Sequence, residues 1–88
     1  MKVLYEKSFL KDLKKIRETE LKERVKSAIL EIKKAKDRSK LNSLEKLQGH
    51  KSAYKIRIGD YRMGTFLESD TVTFSRFLHR KEIYKKFP

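Results

Sequence analysis

The sequence predicts an α+β domain in which a short N-terminal strand and two helices precede two tight antiparallel hairpins. Three observations carry that prediction. Apolar residues recur at helical spacing between Phe9 and Ala35. The run Tyr54 to Ile58 alternates apolar and cationic residues, and a Gly59-Asp60 pair separates it from Tyr61 to Leu67, as a two-residue hairpin loop would. A chain of 88 residues forms one domain, spanning 1–88, with one modest core. Its 41% charged residues outnumber its 38% hydrophobic ones, but the apolar positions are patterned, so the chain folds.

Lys2 to Glu6 reads as a strand, with Val3 and Tyr5 on one face and Lys2, Leu4 and Glu6 on the other. Ser8 is placed to N-cap a helix whose apolar positions are Phe9, Leu13 and Ile16. Thr19 is placed to cap a second, with Glu20 and Glu23 in the first turn and Leu21, Val25, Ala28, Ile29, Ile32 and Ala35 along one stripe. Lys33, Lys34 and Lys36 suit its negative end. The two helices are expected to form an antiparallel hairpin turning at Glu18 and Thr19, with their outward lysines solvated. Asp37 to Ser43 is a polar connector, after which Leu44 and Leu47 anchor the lead-in to the sheet.

With Gly59-Asp60 as the loop, Ile58 faces Tyr61, Arg57 faces Arg62, Ile56 faces Met63 and Lys55 faces Gly64. Like charges directly opposite destabilise a sheet, so the Arg57–Arg62 pair argues for an anion between them. Ser69-Asp70, or Glu68 to Thr71, closes the second hairpin with Leu67 opposite Val72. Phe77 then faces Arg62, and Thr73, Ser75, Phe77 and His79 share the face of Lys55, Arg57 and Arg62. Val72, Phe74 and Leu78 join Tyr61, Met63, Ile56 and Ile58 on the core face, where Arg76 is a misfit; a three-residue loop would invert the whole third strand. Lys81 to Pro88 is a basic, aromatic tail, with Ile83, Tyr84 and Phe87 spaced for a helical turn.

Twenty-four Lys and Arg against twelve Asp and Glu leave a net charge of +12, which suits a polyanion, nucleic acid being the common one. The absence of cysteine excludes a disulfide framework and a thiolate metal site, and fits a reducing cytosol. His50 and His79 lie far apart without ligand-spaced carboxylates, and no Gly-rich phosphate loop occurs, so neither metal nor cofactor is expected. The N-terminus is broken by Glu6 and Lys7 before any useful apolar length, and no stretch approaches a membrane span. The expected setting is the cytoplasm, away from membranes.

One sheet face thus offers Lys55, Arg57, Arg62 and His79, with Arg80 and Tyr84 near by and Phe77 among them. Lys46, Lys51, Lys81 and Lys85 extend this set as RNA contacts, since cations neutralise phosphates and rings stack on bases. The same groups satisfy metal-independent RNA cleavage, in which a ribose 2′-OH attacks its own 3′-phosphate with the help of a base, an acid and cations. Crowding by Arg57 and Arg62 favours a neutral Lys55, a base; the imidazole of His79 suits acid work at neutral pH. Each of these residues alone is explained as an exposed sheet position, and Tyr84 equally as tail packing.

The order of elements, Leu47-x-Gly49, then YKIRIGDYR (Tyr54 to Arg62) and LHRKEIY (Leu78 to Tyr84), resembles the RelE/ParE superfamily of toxins from bacterial and archaeal toxin-antitoxin modules, most closely its RelE side. The resemblance implies a four-stranded antiparallel sheet packed against an N-terminal helical hairpin. It implies an endoribonuclease, an mRNA interferase that cuts messages in the ribosomal A site without a metal and so inhibits translation. The matching positions are Lys55, Arg57, Arg62 and Tyr84, with Arg80 the nearest basic residue for a C-terminal arginine, because Leu78 stands at the aligned position. A related branch uses a glutamate before the sheet, an arginine on it and a histidine near the end, which Glu45, Arg62 and His79 match. The resemblance further implies a cognate acidic, RelB-like antitoxin, with operator DNA bound only through the antitoxin complex. Two other functions are compatible with the sequence: a ParE-like poison of DNA gyrase that cuts no RNA, and a non-catalytic RNA-binding module.

Overall fold

The computed structural model describes residues 1–88, in the order β1 (Lys2–Tyr5), α1 (Lys7–Lys14), α2 (Thr19–Lys34), a 3-10 turn (Arg38–Lys40), β2 (Glu45–Lys46), β3 (Ala53–Ile58), β4 (Tyr61–Glu68), β5 (Thr71–His79) and α3 (Ile83–Lys86). The α+β class and the helix-covered sheet match expectation, but the sheet does not. It has five strands in the order β1-β5-β4-β3-β2 and is mixed, because β1 lies parallel to β5. The two helices between β1 and the rest of the sheet form a crossover that returns the chain to the far edge, and such a connection allows parallel pairing. The fifth strand is β2, a two-residue segment pairing Glu45 with Lys55 and Lys46 with Tyr54 where a lead-in to the sheet was expected.

The first hairpin keeps the predicted register: Ile58 opposes Tyr61, Arg57 opposes Arg62, Ile56 opposes Met63 and Lys55 opposes Gly64. Gly59 adopts φ +58° in its loop, a conformation glycine reaches without steric cost. The second hairpin turns at Ser69-Asp70 and sets Leu67 opposite Val72, also as predicted. Farther along, the ladder slips. Thr65 opposes Phe74 but Gly64 opposes Arg76, so Ser75 is an extra residue in β5, a β-bulge.

That single residue reverses the parity of the rest of the strand. Phe77 opposes Met63, not Arg62, and is 1% exposed in the core; Leu78 takes the place opposite Arg62. The bulge also resolves Arg76. Its guanidinium makes two bonds to the Asp12 carboxylate, Nε to Oδ2 at 2.8 Å and Nη2 to Oδ1 at 3.0 Å. Asp12, only 6% exposed, also accepts the Phe77 N–H at 3.0 Å, and its hydrogen bonds push the Arg76 pKa further above its ordinary value.

These contacts explain α1. Because β1 pairs only with Thr71 to Phe74, the remaining outer edge of β5 would be bare. The chain covers it: Glu6 N–H donates to the Phe74 carbonyl at 2.9 Å, and the Ser8 hydroxyl to the Ser75 carbonyl at 2.6 Å. Ser8 is therefore not an N-cap; the helix begins at Lys7, with Glu6 at the cap position. Likewise Thr19 is the first residue of α2, not its cap. The helices dock on the sheet, α1 along β5 and α2 between β1 and β3.

The main core lies between helices and sheet. Phe9, Ile16, Leu21, Val25 and Ile32 meet Ile56, Ile58, Met63, Leu67, Val72, Phe74 and Phe77 there. Each fully buried large side chain contributes on the order of 1.5–3 kcal/mol by leaving water. A second, smaller cluster sits on the opposite face, where Leu47, Ala53, Ile83 and Phe87 pack with Phe66 and Leu78. Leu78 thus belongs with the tail rather than with the main core.

Candidate functional site on the open sheet face

Alternation along β3 and β4 sends Ile56, Ile58 and Met63 into the main core and leaves Lys55, Arg57 and Arg62 on the other face. β2 adds Glu45 to that face as the direct cross-strand partner of Lys55. The tail completes the arrangement. Phe87 and Ile83 are buried against the sheet, and between them Tyr84 remains 57% exposed.

The Lys55 ammonium donates a hydrogen bond to the Tyr84 hydroxyl and stands 4.9 Å from the centroid of its ring. The close fit depends on Gly64. A Cβ at that position would lie 2.6 Å from the Phe87 ring, so only glycine lets the tail settle on the strand. Glu45, Lys55 and Tyr84, from three elements, are thereby gathered at one place.

The arginine pair is arranged differently from the sequence-based argument. Arg62 Nη1 donates to the carbonyls of Gly59 and Tyr61, each at 2.8 Å. These carbonyls ease the repulsion that an anion was expected to relieve, while Nε and Nη2 make no protein hydrogen bond. Arg57 is exposed and borders a cleft of about 400 Å³ beside α2, with Glu20, Glu23 and Glu31 along it. Of the chain's many charges only Asp12 and Arg76 form an ion pair, so none of the cations of this face is bound to a carboxylate.

Other predicted positions fall elsewhere. His79 opposes Tyr61, and its ring meets the Tyr61 ring edge-on at 5.5 Å, on the helix side of the sheet. The bulge has carried it away from Lys55 and Arg62. Phe77, stacked on Tyr61 at 5.1 Å, is sealed in the core and cannot reach a base. Arg80 is exposed beside the first hairpin, its N–H held by the Asp60 carbonyl at 2.8 Å. Lys46, Lys51, Lys81 and Lys85 are all exposed. Asp12 and Phe87 went unassigned by sequence analysis; Asp12 left a signal, since it follows Phe9 by three residues and precedes Ile16 by four on the apolar stripe of α1.

The fold is a mixed sheet with α1 and α2 on one face and, on the other, a cationic surface bordered by the tyrosine of the C-terminal turn. The sequence matches the family model described as ParE toxin of type II toxin-antitoxin system, parDE, over residues 3–84, and the chain belongs to that family. It is 40% identical over 89 residues to Toxin RelE3 of Methanocaldococcus jannaschii, covering all of both chains. The protein is accordingly a RelE-type toxin of a type II toxin-antitoxin system. Its fold superposes with a TM-score of 0.80 on a chain in the RelB-RelE antitoxin-toxin complex from Methanococcus jannaschii, at 38% identity and covering 97% of this chain and 99% of that one. The archaeal RelE-RelB complex from Pyrococcus horikoshii OT3 shares the fold at a TM-score of 0.71 and 17% identity, covering 93% and 97%.

Proposed function

We propose that this toxin is a ribosome-dependent endoribonuclease that cleaves mRNA in the A site by metal-independent attack of a ribose 2′-OH. The observation that carries the proposal is the contact of Lys55 with Tyr84 on the face that also holds Glu45, Arg57 and Arg62. In the reaction the 2′-oxygen forms a bond to the adjacent phosphorus and the bond to the 5′-oxygen breaks. The Glu45 carboxylate accepts the 2′ proton. The Lys55 ammonium, directly or through the Tyr84 hydroxyl, gives one to the departing 5′-oxygen, leaving a 2′,3′-cyclic phosphate and a 5′-OH. Arg57 and the free donors of Arg62 stabilise the charge developing on the phosphorane oxygens. The exposed Tyr84 ring offers a surface for the neighbouring base. His79, on the other side of the sheet, takes no part in this scheme.

The partner in this scheme is an acidic, RelB-like antitoxin. The net charge of +12 supports it, as does the likeness to a RelE solved together with RelB. The cytoplasm suits a ribosomal target; no helix is long and apolar enough to cross a membrane.

The test is 5′-end mapping of a reporter mRNA in a translating extract with the wild-type protein and Lys55→Met side by side. Cuts within A-site codons that vanish with the substitution are expected. Intact mRNA, with replication arrested in cells making the wild-type toxin, would overturn the proposal in favour of a gyrase poison.

A further inference from the structure

Away from the open sheet face, where the end of β5 meets α1 and α3, a pocket of about 260 Å³ is bordered by Lys15, Tyr61, His79 and Lys86, with Asp12 and Arg76 behind them. Its charge is not what the residue types suggest. The Asp12 carboxylate is engaged by Nε and Nη2 of Arg76 and by the Phe77 N–H, so it offers no free negative charge to the pocket. Lys15 and Lys86 are exposed and form no ion pair. His79 Nδ1 accepts the Lys81 N–H at 3.2 Å, which leaves the proton of the neutral ring on Nε2, a donor. Tyr61, backed by Phe77 at 5.1 Å, supplies an aromatic wall. Two ammonium groups, an imidazole N–H and a ring face are the requirements of a nucleotide, phosphate outward and base inward.

We infer that this pocket is a second RNA subsite, which holds one phosphodiester and its base from an RNA strand lying across Tyr84. Lys15 and Lys86 bind the phosphate, and His79 and Tyr61 contact the base. The link to the first site is α3, a single helical turn that carries both Tyr84 and Lys86. Residues two apart on a helix point to opposite sides, so one turn directs Tyr84 to Lys55 and Lys86 to the pocket. An RNA strand crossing α3 is held at both ends of that turn. The subsite rests on RNA being the substrate, but it concerns binding and not the chemical step.

The probe is therefore a short single-stranded RNA, 2′-O-methylated throughout so that it cannot be cut, followed by fluorescence anisotropy at several salt concentrations. Lys15→Gln combined with Lys86→Gln is expected to weaken binding about tenfold and to lower the salt slope by about 0.7, the value of one phosphate on a single strand. His79→Phe, which keeps a ring but removes the N–H, is expected to weaken binding severalfold with the slope unchanged. Lys26→Gln combined with Lys34→Gln, on the exposed side of α2, is the charge-matched control. Equal losses in the pocket and control pairs would overturn the subsite, and so would a loss seen only for binding to vacant ribosomes. A pocket-specific loss in a toxin that cuts no mRNA would uphold the subsite and refute the nuclease. Normal cleavage with no pocket-specific loss would do the reverse.

Discussion

The ring of Phe87 lies where a side chain at position 64 would stand: a Cβ on Gly64 would come within 2.6 Å of its Cγ. This contact holds the C-terminal tail on β4 and so brings Tyr84 over Lys55. Gly64→Ala forces the tail to shift. The expected cost is about 1–3 kcal/mol, as for other overpacked sites, with at least a tenfold loss of mRNA cleavage. Phe87→Ala frees the tail with less strain and should reduce cleavage similarly. Amide hydrogen exchange at Tyr84 to Lys86, faster in both variants, would locate the effect; unchanged exchange would contradict the coupling.

Tyr84→Phe separates the two uses of the tyrosine. The ring stays above Lys55 while the hydroxyl that accepts its hydrogen bond is lost. A proton-transfer role predicts a fall in single-turnover cleavage of about 10²–10⁴-fold, as for removal of other general acids. Glu45→Gln should produce a loss of the same order if the carboxylate accepts the 2′ proton. Full activity of Tyr84→Phe beside an inactive Tyr84→Ala would assign the ring to stacking alone.

Asp12→Ala leaves Arg76 without its carboxylate and the buried Phe77 N–H without an acceptor. Loss of one partner from a partly buried pair, together with an orphaned donor, predicts destabilisation of about 3 kcal/mol. Urea unfolding followed by circular dichroism would measure it. Because α1 seals the edge of β5, a midpoint equal to that of the wild type would refute the role given to Asp12.

Acid should loosen the 3-10 turn when Asp37 takes up a proton. Asp37 accepts the Ser39 N–H at 2.9 Å and the Ser39 hydroxyl, and these bonds hold its pKa below the ordinary 3.8. A carboxylate whose folded pKa is depressed stabilises the fold at pH above its unfolded value, and that contribution is lost as pH falls through the lower folded value. NMR titration should show the Asp37 carboxyl and the Ser39 amide moving together below pH 3.8, with Asp37→Asn abolishing the transition.

Local pattern was enough for much of this architecture. Alternation through Tyr54 to Ile58 and the Gly59-Asp60 turn set the register of the first hairpin, and with it the shared face of Lys55, Arg57 and Arg62. Those signals lie within a dozen residues, where strand period and turn chemistry decide the outcome. The motifs around them also marked the superfamily and the toxin function, and helical spacing located α1 and α2.

Long-range contacts decided the rest. The bulge at Ser75 accompanies the bond between Arg76 and Asp12, 64 residues away in sequence, and it moved His79 and Phe77 off the face where unbroken alternation had put them. The parallel pairing of β1 depends on how the helices return the chain to the sheet edge. The meeting of Lys55 with Tyr84 depends on an aromatic ring finding a glycine 23 positions earlier, from Phe87 back to Gly64. Sequence alone determined which side chains were available on β3 and β4. Tertiary packing decided which of the others joined them, because a buried charge or an unpaired strand edge is resolved by whatever partner the fold brings near.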